Sequence, residues 1–281
     1  MPPFWTSIVV LSLFQGVLVA LPGVLGEGRL TRLDGRRWAV LPPLSILVFV
    51  AAAAAAEHAS AEGLTYLALL AVPPLAVLAL GWLTRGARPR HAAWAGILFA
   101  LAWADRTGLA GESAALLLSG LSCVALGVML AALTPPRWLA GGIITMACVD
   151  SALVIADLLQ QPNSALNAAH PGAGLPKLQS AVFGSAVMGY GDLFIAGVLG
   201  GLLAAGVGRS TQLRGAVLTA ASALLFDLLF FLVDELPATV PVALALVILL
   251  TQRRSARSRA ARATPRAPGA AALAARAPAA R

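Results

Sequence analysis

Two aspartates, Asp150 and Asp192, lie inside neighbouring apolar runs of this chain. An ionisable group within lipid is costly unless it faces a cavity or a partner, so each is a candidate functional group. Two carboxylates a few ångströms apart cannot both ionise cheaply, and they therefore share a proton. One carboxylate can then activate water while the other protonates the carbonyl oxygen or the leaving amine. The pattern predicts an Asp150/Asp192 dyad that hydrolyses amide bonds.

The composition indicates which elements position this pair. The 281 residues are 59% hydrophobic and 11% charged, with a mean hydropathy of +0.85. The apolar residues form blocks of about 20, the length that crosses roughly 30 Å of hydrocarbon, whereas a β-barrel would show short alternating segments. We therefore expect an all-α polytopic membrane protein with nine transmembrane helices. They are predicted at about 4–25, 38–56, 64–84, 91–110, 114–133, 138–159, 180–207, 213–234 and 237–251.

The arginines predict the orientation of these spans. Loops rich in arginine alternate with loops that are poor in basic residues, which places the N-terminus outside and the C-terminus in the cytoplasm. The net charge of +8 is thus interpreted as a topology signal, and no nucleic-acid partner is expected. The composition, rich in Ala and Arg with a single lysine, suggests a GC-rich genome and a bacterial plasma membrane.

Helix geometry allows the two acids to meet. At 1.5 Å per residue, Asp150 lies about 18 Å from the inner edge of the sixth predicted span, and Asp192 about 18 Å from the outer edge of the seventh. In a core of roughly 30 Å their depths then differ by about 6 Å. Antiparallel packing of the two spans would bring the side chains together.

Glycines flank the second acid. Gly189 lies about one turn before Asp192 and Gly191 is adjacent to it. Because a glycine inside a helix costs up to about 1 kcal/mol, a compensating gain is expected. We expect close approach of another backbone, either a neighbouring helix or an extended substrate.

At these residues the chain resembles the presenilin and signal peptide peptidase family of intramembrane aspartyl proteases. The resemblance covers about 137–251. The family has Tyr-Asp in its sixth span, Gly-x-Gly-Asp in its seventh and Pro-Ala-Leu at its ninth. Here the second motif is intact, valine stands in place of the tyrosine, and threonine in place of the leucine. The three segments are Val149-Asp150, Gly189-Tyr190-Gly191-Asp192 and Pro237-Ala238-Thr239.

The resemblance implies an intramembrane aspartic endopeptidase with nine helices and no cofactor. It implies catalytic roles for Asp150 and Asp192, and substrate contacts at Gly189, Gly191 and Pro237-Ala238-Thr239. The substrates would be transmembrane segments with cytoplasmic N-termini, or remnant signal peptides. The oligomeric state stays open. Three parts are predicted: five N-terminal transmembrane helices at 1–136, the catalytic helices at 137–251, and a disordered tail rich in Arg, Ala and Pro at 252–281.

Other functions compete for the same residues. A prepilin-peptidase-like enzyme also uses Gly-x-Gly-Asp, with aspartates that face the cytoplasm. A transporter or channel could relay protons or bind cations through Asp150, Asp192 and Asp227, the last of which lies in the eighth predicted span. A metal site is not expected. The three histidines fall in or beside loops on both sides of the membrane, and no His-Glu-x-x-His motif occurs.

Overall fold

The computed structural model describes residues 2–25, 35–206, 208–233 and 236–263, and this part of the chain is mostly helical. Two short strands form its single sheet, a hairpin in front of α7. The nine α-helices of the described residues are α1 (Phe4–Ala20), α2 (Leu41–Leu78), α3 (Ala93–Ala104), α4 (Leu109–Leu133), α5 (Pro136–Ile155), α6 (Gln160–Ala168), α7 (Tyr190–Gly206), α8 (Arg209–Asp227) and α9 (Val240–Ala263), and the strands are β1 (Ser180–Phe183) and β2 (Ala186–Gly189).

Several helices are suited to a membrane. Within the described residues, four helical segments are long and apolar enough to cross a bilayer, and two shorter apolar helices are α1 and α7. Helix α3, with 12 residues, is shorter than the predicted fourth span because the chain turns at Asp105. Nine crossings therefore stay a prediction. The four segments are Arg36–Leu83, Leu109–Leu133, Pro136–Ile155 and Arg209–Phe231.

Helix α2 bends where the sequence predicts a loop between the second and third spans. A straight helix of 38 residues would measure about 57 Å, nearly twice the hydrocarbon thickness. Ala56 interrupts it with φ −158° and ψ 75°. Ala39, just before α2, lies against Gly142 near the start of α5. Glu57 accepts a 2.8 Å hydrogen bond from Gln161, beyond the end of α5. The first half of α2 therefore runs alongside α5.

The second half of α2 returns to the end of the bundle from which the first half starts. Gly35 N donates to Leu133 O, at the C-terminal end of α4. The carbonyl of Leu83, just after α2, accepts from Gly23 N at 2.8 Å, and the neighbouring Pro22 packs on Gly200 in the second half of α7. Helices α4 and α7 run parallel, since Gly197 lies against Cys123 and Gly201 against Gly127. These contacts therefore lie at the same end of both helices. The bend at Ala56 thus reverses the chain.

Close backbone packing of α4 on α7 forms the centre of the fold. A Cβ on Gly201 would lie 2.5 Å from Gly127 O, and one on Gly197 would overlap Cys123 O. Gly197 and Gly201 therefore form a packing face, at which the absence of side chains lets the two backbones approach closely. Residues Met1–Leu246 form one compact unit, and a second unit begins at Val247.

The predicted seventh span, 180–207, is wrong in its first half. Residues 180–189 form the antiparallel hairpin, in which Ser180 pairs with Gly189 and Phe183 with Ala186. Gly184 makes the turn with a φ of 60°, which favours glycine. The turn is fastened to two helices, since Gly184 N donates to Glu112 Oε2 at 2.7 Å and Ser185 N to Ser7 Oγ at 3.2 Å. Helix α7 begins only at Tyr190.

The C-terminal boundary also differs from the prediction. The tail predicted to be disordered from residue 252 is helical as far as Ala263, because α9 continues through its first arginines. Residues 264–281 lie outside the described residues, as do Arg29 and Arg32 of the first predicted loop and the Asp234-Glu235 loop.

Candidate active site

Asp150 lies on the buried face of α5. The stripe Leu139, Ile143, Met146 and Asp150 repeats at helical spacing and is buried throughout. Asp150 is only 5% exposed. The helix ends at Ile155, so the carboxyl group lies about 8 Å from the C-terminal end of α5. A buried acid at this position needs polar partners.

Thr239 supplies one such partner. Its hydroxyl donates a 2.5 Å hydrogen bond to Asp150 Oδ2, and both groups are buried. Residues 238 and 239 form a turn directly before α9, and the carbonyl of Thr239 accepts from Ala243 N. The family resemblance predicts that Thr239 belongs to a substrate-binding motif, in which threonine stands in place of leucine. Its contact with the first acid was not predicted.

Asp192 is the third residue of α7 and not a mid-helix residue, which corrects the predicted depth. Its Oδ2 accepts a 3.1 Å hydrogen bond from Gly189 N, the residue before the helix. This is the side-chain half of a capping box, and a carboxylate is also favoured in the first turn of a helix by the helix dipole. Asp192 therefore has a structural role in addition to any chemical one.

At both motif glycines, the nearest groups to the missing Cβ atom belong to side chains. A Cβ on Gly189 would lie 3.0 Å from Asp192 Oδ2, so the absence of a side chain lets the carboxylate fold back over this residue. A Cβ on Gly191 would meet only Met146 Cε, at an ordinary 3.6 Å. Within the described part of the chain, the close backbone approach predicted from a neighbouring helix is thus not found at either glycine. Contact of an extended substrate here stays a prediction.

Helices α5 and α7 pack together, and one of their contacts lies close to the two acids. Met146 lies one helical turn before Asp150, and its Cε is the nearest neighbour of a Cβ placed on Gly191, the residue before Asp192. Asp150 and Asp192 therefore each lie within about one helical turn of this contact. Both lie toward the end of the bundle at which α5 ends and α7 begins.

Helix α1 contributes buried polar groups that sequence reasoning missed. Gln15 Nε2 donates to Ala238 O at 3.2 Å, and Ser12 Oγ donates to Asp227 Oδ2 at 2.6 Å. Both side chains are 1% exposed. The available signal was one amide and one hydroxyl within an apolar run. Asp227, the third acid considered for proton or cation transfer, is the last residue of α8 and accepts this hydrogen bond from Ser12.

The remaining motif residues have simple roles. Pro237 precedes the turn, and its carbonyl accepts a hydrogen bond from Val240 N at 3.1 Å. The Tyr190 hydroxyl is 2.7 Å from Ser122 Oγ of α4. Tyr190 thus connects the start of α7 to α4.

Comparisons with known protein families, with curated proteins and with solved structures found no match for this chain. The functional conclusion therefore depends on the arrangement of these residues.

Proposed function

We propose that the chain is an intramembrane aspartic endopeptidase of the presenilin and signal peptide peptidase type, with Asp150 and Asp192 as its catalytic pair. The observation that carries the proposal is the packing of α5 on α7 at Met146 and Gly191. Met146 lies one helical turn before Asp150, and Gly191 directly precedes Asp192. One acid would activate water, and the other would protonate the carbonyl oxygen or the leaving amine. The proton would belong to the pair, as in coupled carboxylates generally.

Thr239 supports this function. Its hydroxyl holds Asp150 Oδ2, so the carboxyl group is fixed in one orientation within a buried environment. An oriented acid is what general acid–base catalysis requires. Valine at position 149 replaces the tyrosine of the family motif beside Asp150. Thr239, directly before α9, instead supplies a hydroxyl group to this aspartate.

The hairpin supports cleavage of an unwound substrate. A transmembrane helix hides its peptide groups in its own hydrogen bonds, and the groups freed by unwinding need new partners. Strand β2 (Ala186–Gly189) leads directly into the segment that holds Asp192, and Val187 and Gly189 are exposed on it. An extended peptide could add to such a strand edge. The proposed substrates are transmembrane segments or remnant signal peptides.

The nine crossings and the outward N-terminus are part of the proposal. The reversal of α2 at Ala56 supports two crossings by that helix. The arginine pattern supports cytoplasmic loops before α2, before α3 and before α8.

The decisive experiment uses Asp150→Asn and Asp192→Asn in the purified full-length chain. The asparagine oxygen can still accept from Thr239 or from Gly189 N, so the local hydrogen bonds remain while the acid is lost. A quenched fluorescent transmembrane peptide in bicelles is incubated with each variant, and the fragments are identified by mass spectrometry. We expect each substitution to lower the cleavage rate by at least about a hundredfold with unchanged thermal unfolding.

Full cleavage by Asp192→Asn would reduce this residue to a helix cap and reject the proposal. Proton or cation flux in proteoliposomes, together with no cleavage by the wild type, would favour the transporter. Cleavage that depends on Asp192 and Asp227 but not on Asp150 would assign the pair differently.

A further inference from the structure

We propose that Gln15 of α1 is a positioning residue for the proteolytic reaction: it holds the turn at Ala238 and Thr239 so that Thr239 donates to Asp150. This inference rests on the proposed function. It adds a residue that lies outside the three motif segments at 149–150, 189–192 and 237–239. It assigns α1 a direct part in the orientation of the first catalytic acid.

The contact is made through one rigid peptide unit. Gln15 Nε2 donates to Ala238 O at 3.2 Å, and this carbonyl shares a planar peptide group with the nitrogen of Thr239. Holding that plane in place also fixes the direction of the N–Cα bond of Thr239. The Thr239 hydroxyl then lies 2.5 Å from Asp150 Oδ2. A chain of two hydrogen bonds thus connects Gln15 to the acid.

Burial indicates that Gln15 has this role and is not merely a packing residue. The side chain is 1% exposed, and its Oε1 has no hydrogen-bond partner within the described residues. A buried polar atom without a partner costs about 1–3 kcal/mol. The amide therefore offers little net stability over an apolar side chain of similar size. Its donated hydrogen bond to the turn is the contact that leucine could not make.

The primary test is Gln15→Leu in the full-length chain, compared with Thr239→Val and Thr239→Ser. We expect Gln15→Leu to lower kcat about tenfold with KM unchanged, which corresponds to the loss of one buried hydrogen bond, while thermal unfolding holds or improves. Its pH–rate profile should move in the same direction as that of Thr239→Val. Thr239→Ser keeps the hydroxyl and should keep most of the activity.

The double variant Gln15→Leu/Thr239→Val separates positioning from general damage. If Gln15 acts through Thr239, the double variant is no slower than Thr239→Val alone, whereas independent effects would multiply. Ser12→Ala is the matched control. It removes a buried polar group from the same face of α1, where Ser12 binds Asp227, and should leave the pH–rate profile in place.

Multiplicative effects, or a Gln15→Leu enzyme with wild-type kcat and pH profile, would overturn the positioning role while Asp150→Asn and Asp192→Asn still confirm the protease. A loss of kcat that follows a loss of thermal stability would also reject it. No cleavage by the wild type would overturn both proposals together.

Discussion

At the scale of single residues, the sequence identifies the groups but not their partners. Asp150 and Asp192 stand out because each is an acid in an apolar run. The Thr239–Asp150 bond joins residues 89 positions apart, and no local pattern predicts such a pairing. Gln15 and Ser12 have the same limitation, since their partners lie more than 200 positions away.

Gly189 and Gly191 give a matched pair of substitutions. Gly189→Ala would place a Cβ 3.0 Å from Asp192 Oδ2, whereas Gly191→Ala would meet Met146 Cε at 3.6 Å. We expect Gly189→Ala to displace the carboxylate and slow cleavage about tenfold, equivalent to about 1.4 kcal/mol. Gly191→Ala should fold and pack normally. The measurement is kcat on the transmembrane peptide.

Equal rates for Gly189→Ala and the wild type would show that the carboxylate position tolerates this contact. A strong loss of activity in Gly191→Ala, with normal thermal unfolding, would instead indicate that substrate occupies the space beside Gly191.

At the scale of elements, hydropathy predicts helices well where one face is buried and fails where a short apolar hairpin imitates a span. Helix α5 (Pro136–Ile155) lies close to the predicted sixth span, 138–159, and buries one face from Leu139 to Asp150. Residues 180–189 carry no charge and are mostly apolar, so hydropathy joins them to α7 in one predicted span. Gly184, with its positive φ, was the visible turn signal, but one glycine in an apolar run equally fits a packed helix.

Gly184→Ala distinguishes the hairpin from the continuous helix. In a helix the change would stabilise by about 1 kcal/mol. In the hairpin it forces alanine to a φ of 60° and places a Cβ 2.5 Å from Ser7 Oγ. We therefore expect a loss of about 1 kcal/mol or more, measured by thermal unfolding of the purified protein.

Gly141→Ala is the control for this comparison. Gly141 lies within α5, and no other described residue comes near its Cβ position, so alanine there should be neutral or stabilising. A stabilising Gly184→Ala variant would contradict the hairpin and restore the predicted seventh span.

At the scale of the whole molecule, charge and hydropathy predict a membrane protein but do not count its crossings. Helix α2 and its flanking helical turns form a continuous helical segment of 48 residues, which the non-helical backbone of Ala56 divides. The sequence predicts a loop at 57–63 from Glu57 and Glu62. The structure keeps this stretch helical and makes the reversal just before it.

Cysteine labelling tests the reversal of α2. His58 and Arg88 are both exposed, and the proposed topology places them on opposite sides of the membrane. In a background with Cys148→Ser, which removes the exposed native thiol, His58→Cys should react with an impermeant maleimide on intact cells. Arg88→Cys should react only after permeabilisation. Labelling of both from one side would reject two crossings by α2.

The bond between Gln15 and Ala238 joins α1 to a turn that is synthesised 223 residues later. While the polypeptide is still emerging from the ribosome, residues 237–239 have not left the exit tunnel and Asp150 lacks the hydroxyl that orients it. Under the proposed function, the acid pair would become competent only after residues 237–239 had been synthesised and had packed against α1. Neighbouring membrane proteins would then meet no active enzyme before that point.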